Sequence, residues 1–79
     1  MIPFIGSEGL KRNVRMQRRV SSGDYSGRLV SGGRAEFYLV EETGSSHRLE
    51  PDQPVTISYR DRPRSFRVRL PTNAQMVLF

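Results

Sequence analysis

The chain contains no cysteine among its 79 residues, and this absence excludes several classes of small protein. Without thiols it can form neither a disulfide nor a thiolate-bound metal site, so disulfide scaffolds and zinc ribbons are excluded. A chain of this length forms at most one domain and buries only roughly 60% of the surface that its unfolded form exposes. We therefore expect a small domain whose stability depends on its apolar core.

Long apolar segments are also missing. No apolar run approaches the roughly 20 residues that a helix needs to cross a bilayer. The segment MIPFIGSEGL (1–10) has no basic residue before its apolar stretch, which ends at Gly6, so it does not resemble a signal peptide. We expect a protein without a membrane partner that stays in the cytoplasm or in a particle assembled inside the cell.

Residues typical of catalysis are sparse. His47 is the single histidine and lies in a polar segment, where an ordinary surface role is expected. In GDYSG (23–27), Ser26 is displaced from the central position of a Gly-x-Ser-x-Gly elbow, and a strand rather than a helix is expected to follow. The sequence has no phosphate-binding loop, no dinucleotide fingerprint and no carboxylates at metal-site spacing. We expect a protein that is not an enzyme and uses no cofactor or metal.

What the sequence does contain is positive charge, in two separate runs. Lys and Arg number 13 against 8 acidic residues, the net charge is +5, and Lys11 is the only lysine. Arginine suits bidentate binding of phosphate or carboxylate, although GC-rich coding produces the same bias. The basic runs are residues 11–19 and 60–69, and the stretch 35–59 between them is acidic. We expect either opposite charged sides or a fold that brings the two basic runs together.

From residue 25 onward, short apolar runs alternate with turn residues, which indicates β-strands. Residues 1–26 have no sustained apolar face, and we expect a basic N-terminal arm there, followed by a small β domain over 27–79. Arg62 and Pro63 are expected in a turn. The predicted fold class is mainly β, a small antiparallel barrel or sandwich of about five or six short strands with an extended N-terminal arm. The strands are expected at 25–30, 34–42, 47–50, 55–60, 65–70 and 75–79.

The strands at 55–60 and 65–70 show the clearest alternation of apolar and polar residues. The side chains expected to face the core are Val55, Ile57, Tyr59, Phe66, Val68 and Leu70. Arg60, Arg67 and Arg69 would then share the outer face, where neighbouring like charges are mildly destabilising. Three explanations are open: contact with an anion or nucleic acid, a protein interface, and neutralisation by nearby acids. The acids considered are Glu36, Glu41 and Glu42.

The first functional hypothesis is binding to the phosphate backbone of a nucleic acid. A small basic β-barrel suits this role, and a basic arm can fold into an RNA groove as an arginine-rich helix. Tyr25, Tyr38 and Tyr59 are candidates for base stacking, although Tyr59 is expected to point inward. The expected nucleic-acid or anion contacts are Lys11, Arg12, Arg15, Arg18, Arg19, Arg60, Arg62, Arg64, Arg67 and Arg69.

The second hypothesis is a structural or inhibitory protein–protein module. Both ends of the sequence are apolar, whereas free tails are usually polar. Small β proteins with docking arms occur among virion and phage-particle subunits and phage-borne inhibitors, which is an analogy of architecture. Such a partner could also be a second copy of the chain. The residues expected to dock are Ile2, Phe4, Ile5, Met76, Val77, Leu78 and Phe79.

The third hypothesis is a receptor for a small anion. The pair Arg15-x-x-x-Arg19, followed by VSGGRAEF (30–37), resembles the PilZ domains, which place such a pair before a barrel and an Asp/Asn-x-Ser-x-x-Gly turn within it. The sequence departs from that turn at Leu29, which stands where the family has an acidic or amide residue. The resemblance covers only the segment 15–37 and implies a receptor for cyclic dinucleotides.

Overall fold

A seven-stranded mixed sheet, curled into a half-barrel, organises the chain. The computed structural model describes residues 1–60 and 62–71. Its elements are β1 (Phe4–Ile5), α1 (Ser7–Arg15), β2 (Arg19–Ser22), β3 (Tyr25–Ser31), β4 (Phe37–Val40), β5 (Ser46–Arg48), β6 (Pro54–Tyr59) and β7 (Arg62–Val68). The predicted class, mainly β with a barrel-like sheet, is confirmed. The strand expected at 75–79 lies outside the described residues.

The strand order is β1-β7-β6-β2-β3-β4-β5. All neighbouring strands are antiparallel except β1 and β7, which run parallel. Tight turns with glycine in the left-handed region connect β2 to β3 and β4 to β5: Gly23 has a φ of 60° and Gly44 a φ of 100°. The hairpins β2–β3 and β6–β7 meet through β2 and β6, which joins both halves of the chain in one sheet.

Residues 1–26 belong to this sheet and its covering helix, whereas we expected an extended arm there. Strand β1 pairs with β7, helix α1 packs against β3 and β1, and β2 pairs with both β3 and β6. The helix forms because Leu10 and Val14, four residues apart, lie on one face and reach the core. Leu10 is fully buried. Within the described residues, no helix has the length and apolar content to cross a membrane.

The core lies on the inner, concave side of the sheet, under α1. Among residues 1–60 and 62–71, ten apolar side chains are buried there: Ile5, Leu10, Val20, Leu29, Phe37, Leu39, Leu49, Val55, Ile57 and Val68. Tyr59, Phe66 and Leu70 are half-buried and pack against this cluster. The inward faces predicted for the two clearest strands are therefore confirmed. Alternation along each strand puts the intervening side chains on the outer face.

Strand β7 begins earlier than the sequence predicted. Arg62 and Pro63 were expected in a turn, but they pair with Tyr59 and Ser58. Proline is tolerated at this position because, in the described part of the chain, β1 pairs with β7 only at Arg67 and Val68. The missing N–H of Pro63 therefore interrupts no ladder on that side. The alternation of inward-facing and outward-facing side chains along β7 therefore begins at Arg62.

Candidate functional site

The two basic runs of the sequence meet at the ring of Tyr59. The Arg18 guanidinium, from the first run, lies over this ring at 4.5 Å from its centroid. Arg64, from the second run, lies over the same ring at 5.9 Å. Both distances fall within the range of cation–π attraction. Two arrangements were expected from the sequence, opposite charged sides or two basic runs that lie together. The fold shows the second, because residues from both runs meet at this ring.

The register of the β6–β7 hairpin explains this meeting. Cross-strand partners share a face, and the pairs are Tyr59 with Arg62 and Ile57 with Arg64. Because Ile57 is a core residue, Arg62 and Arg64 stand on the inner face, beyond the end of the apolar core. Phe66 also faces inward, and its ring centroid is 6.4 Å from that of Tyr59. We call Arg18, Arg62, Arg64, Tyr59 and Phe66 the rim cluster.

Arg18 is held in the rim cluster from two sides. Besides its contact with Tyr59, it donates from Nη1 to Oδ1 of Asn13 at 3.4 Å. Asn13 is only 3% exposed and donates from Nδ2 to the carbonyl of Gly9 at 2.7 Å. Its amide is therefore fixed by the helix and orients Arg18 towards the ring. The sequence analysis missed Asn13, because an asparagine within a basic run shows no sign of burial.

A recess opens beside the rim cluster, along the first part of β7. Its volume is about 470 Å³, and its lining comprises Pro3, Arg62, Pro63, Arg64, Ser65 and Phe66. Pro3 is held against β7 because its carbonyl accepts a 2.9 Å hydrogen bond from the Arg67 amide. The recess is open to solvent and brings Pro3 and Phe66 together with the side chains of Arg62 and Arg64.

The outer face of β7 carries arginine in a different setting. Arg67 lies 3.6 Å from the Asp52 carboxylate, and its Nη1 donates to the Asp52 carbonyl at 3.3 Å. Arg69 is exposed and lies over the ring of Phe4 at 4.1 Å. Arg60 is exposed in the turn after β6. Arg67 and Arg69 were predicted to face outward, and alternation from Val68 places them there.

Two of the three acids expected to neutralise these arginines have other partners. Glu36 lies 3.8 Å from Arg48, and Glu41 lies 3.5 Å from Nε2 of His47. In the described part of the chain, none of the three glutamates considered forms an ion pair with an arginine of the 60–69 run. Asp52 takes that role for Arg67 alone.

The remaining predicted contacts are spread over the surface. Lys11, Arg12 and Arg15 are exposed on α1. Arg19 lies on the outer face of β2, directly opposite Arg28 of β3, and both are exposed. Arg28 was not among the predicted contacts, because an isolated arginine gives no charge-run signal. Neither residue belongs to the rim cluster.

The tyrosines proposed for stacking have separate environments. Tyr25 stacks on His47, with ring centroids 3.7 Å apart, and Tyr38 donates to Glu36 at 3.3 Å. Of these three tyrosines, only Tyr59 lies under an arginine guanidinium group among the described residues. Residues 1–60 and 62–71 contain no group of three His, Asp or Glu side chains that could hold a metal ion.

The apolar ends expected to dock a partner are described in part. Ile2 and Phe4 are 45% and 49% exposed. Ile5 is instead buried in the core against β7, so it is not available to a partner. Met76, Val77, Leu78 and Phe79 lie outside the described residues.

Comparisons with known proteins give no family for this chain. No protein-family model, no curated protein and no solved structure matches it. The functional argument therefore depends on the chain's own residues, and the resemblance to PilZ domains stays a hypothesis.

Proposed function

We propose that the protein is a non-catalytic nucleic-acid-binding domain, in which the rim cluster holds the phosphate backbone. The observation that carries this proposal is the convergence of Arg18 and Arg64 on the ring of Tyr59. Residues far apart in the sequence thus supply positive charge to one place. A net charge of +5 favours a polyanionic partner in general, and the rim cluster gives that preference a location.

The aromatic contact suits an arginine that binds phosphate. A guanidinium group lying over a ring keeps the N–H donors at its edge free, and these donors match two phosphate oxygens. Holding the side chain on Tyr59 and Asn13 also reduces the rotamer entropy that Arg18 would lose on binding. The cluster is therefore partly ordered before a ligand arrives.

Exposed basic residues elsewhere on the surface support the same partner. Lys11, Arg12 and Arg15 on α1 carry positive charge into solvent, as does Arg60 in the turn after β6. Charges of this kind raise association rates with a polyanion and add contacts that depend on salt. They give affinity without sequence preference, because phosphate contacts carry no base information.

The test compares two double variants that remove the same charge. Fluorescence anisotropy would measure the binding of labelled single-stranded and double-stranded oligonucleotides over a range of salt concentrations. Arg62→Gln with Arg64→Gln should lower the affinity, and the slope of log K against log salt should fall by about 1.4 to 1.8, for two phosphate contacts. Arg19→Gln with Arg28→Gln, on the outer face, is the matched control and should leave most of that slope unchanged.

Two outcomes would contradict the proposal. Equal losses in the two double variants would mean that binding follows net charge and has no site at the rim cluster. Absence of binding by the unaltered protein at low salt would overturn the function itself. Circular dichroism would confirm that all variants keep the sheet.

A further inference from the structure

The recess beside the rim cluster is an open surface depression with both charged and apolar side chains in its lining. Its volume of about 470 Å³ is typical of pockets that hold small organic groups. Pro3 and Phe66 supply apolar surface, and Arg62 and Arg64 supply charge at the edge. A ligand that fits this combination has a flat apolar part joined to an anionic part.

Phe66 is the aromatic side chain that can receive the flat part. The ring of Tyr59 is already covered by guanidinium groups, and Phe4 on the outer face lies under Arg69. Among the described residues, no such cation–π contact involves Phe66. Its ring is tilted 53° from that of Tyr59, and the half-buried side chain forms part of the recess lining.

We propose that this recess holds one nucleobase of a single-stranded nucleic acid, packed against Phe66 and Pro3, with a neighbouring phosphate at Arg62 and Arg64. This inference rests on the proposed function and adds the class of nucleic acid to it. A base in a duplex is paired and stacked, whereas a base in a single strand can turn out and stack on an aromatic side chain.

The lining also indicates how selective the site is. The recess contains arginine and serine side chains but, in its described lining, no amide or carboxylate side chain that would read a base edge. Stacking on an aromatic ring accepts every base, because each base has a π-face. We therefore expect the protein to prefer single strands over duplexes, with little preference among sequences.

The experiment separates bases from phosphates. Anisotropy would compare three probes of equal length: an oligothymidine, an abasic strand with the same phosphates, and a duplex. The unaltered protein should bind the oligothymidine about fivefold or more tightly than the abasic strand, as stacking of one base predicts. Phe66→Leu should remove this difference, and Phe4→Leu, which alters the outer-face phenylalanine, should preserve it.

The outcomes distinguish the two proposals. Equal affinity for the oligothymidine and the abasic strand would overturn the base site, while salt-dependent binding of both would leave the phosphate clamp standing. Failure to bind any probe would overturn both. The comparison of probes on the unaltered protein needs no variant, so the inference can be rejected even if Phe66→Leu fails to fold.

Discussion

Strand β7 carries arginines on both of its faces, and the two faces differ in what lies beside each guanidinium group. On the inner face, Arg64 lies over the ring of Tyr59. On the outer face, Arg67 lies next to the carboxylate of Asp52 and donates to its backbone carbonyl. The two residues are close in the sequence, and alternation along the strand alone separates them.

Whether a ring or a carboxylate lies beside a guanidinium group decides how much of its charge and how many of its N–H donors remain available to a partner. A carboxylate beside a guanidinium group offsets part of its charge, and the Asp52 carbonyl accepts a hydrogen bond from one Arg67 donor. A ring takes up the face of the group and leaves both the charge and the donors available. The inner face therefore offers binding capacity, whereas the outer face has already used part of its own. The predictions below test this contrast between faces.

The largest expected effect concerns stability on the two faces of β6. Ile57 is fully buried, and Thr56, its neighbour, faces outward and lies 3.4 Å from the hydroxyl of Ser65. Ile57→Ala should lower the free energy of unfolding by about 2 to 5 kcal/mol, because it removes buried methyl groups and leaves a cavity. Thr56→Ala should lower it by no more than about 1 kcal/mol. Urea denaturation with unchanged m-values would measure both.

Similar losses in these two variants would contradict the assignment of faces. The binding experiments depend on that assignment, because Arg64 faces inward only if its partner Ile57 does. A domain of this size has a total stability of only about 5 to 15 kcal/mol, so Ile57→Ala should be studied at low temperature and low urea.

An intermediate effect is expected at Asn13. Asn13→Ala removes the hydrogen bond to the Gly9 carbonyl and the acceptor that holds Arg18. We expect a loss of about 1 kcal/mol in stability and about threefold in nucleic-acid affinity, since Arg18 keeps its charge but loses its orientation. Circular dichroism melts and anisotropy would measure the two effects separately.

A double-mutant cycle shows whether Asn13 acts through Arg18. In the presence of Arg18→Ala, the Asn13→Ala substitution should cause no further loss of affinity, because there is no guanidinium group left to orient. Additive losses would mean that Asn13 affects binding through the helix and not through the rim cluster.

The alternating strands were the part of the fold that the sequence could predict. Val55 and Ile57 on one strand, and Phe66 and Val68 on the next, alternate with polar residues at a period of two, and this pattern predicts which side chains face the core. The N-terminal residues were harder to interpret, because Leu10 and Val14 fit a helix while Val14 and Val20 fit a strand. Contact with the core across β3 and β1 selects the helix, and that contact is not local in sequence.

The three arginines and Tyr59 of the rim cluster were among the predicted candidates, but Phe66 and the geometry of the cluster were not predicted. Pro63 usually marks a turn, so Arg62 appeared to lie in one, and only the pairing of β1 shows that this part of β7 tolerates proline. Tyr59 was correctly predicted to point inward. Because it lies at the end of its strand, its ring is at the edge of the core and stays accessible. Arg18 reaches that ring through tertiary contacts that no charge pattern reveals.

The smallest expected effect tests the outer face. Asp52→Asn removes the charge that faces Arg67 and preserves the backbone, because asparagine tolerates the positive φ of 71° at this position. The two side chains are 41% and 70% exposed, so their ion pair contributes little, and the free energy of unfolding should change by less than about 1 kcal/mol. Freed from its partner, Arg67 should raise nucleic-acid affinity by less than about threefold.

The Asp52→Asn variant can also show that the outer face, and not the inner face, is the main binding surface. If Asp52→Asn raised the affinity by more than the double substitution at Arg62 and Arg64 lowers it, the outer face would be the main contact with the phosphate backbone. Anisotropy at the same salt concentration, on the same oligonucleotide, gives both values. A small gain at Asp52 together with a large loss at Arg62 and Arg64 is the result that an inner-face site predicts, because Arg64 keeps its charge and its donors beside the ring of Tyr59, whereas Arg67 shares both with Asp52.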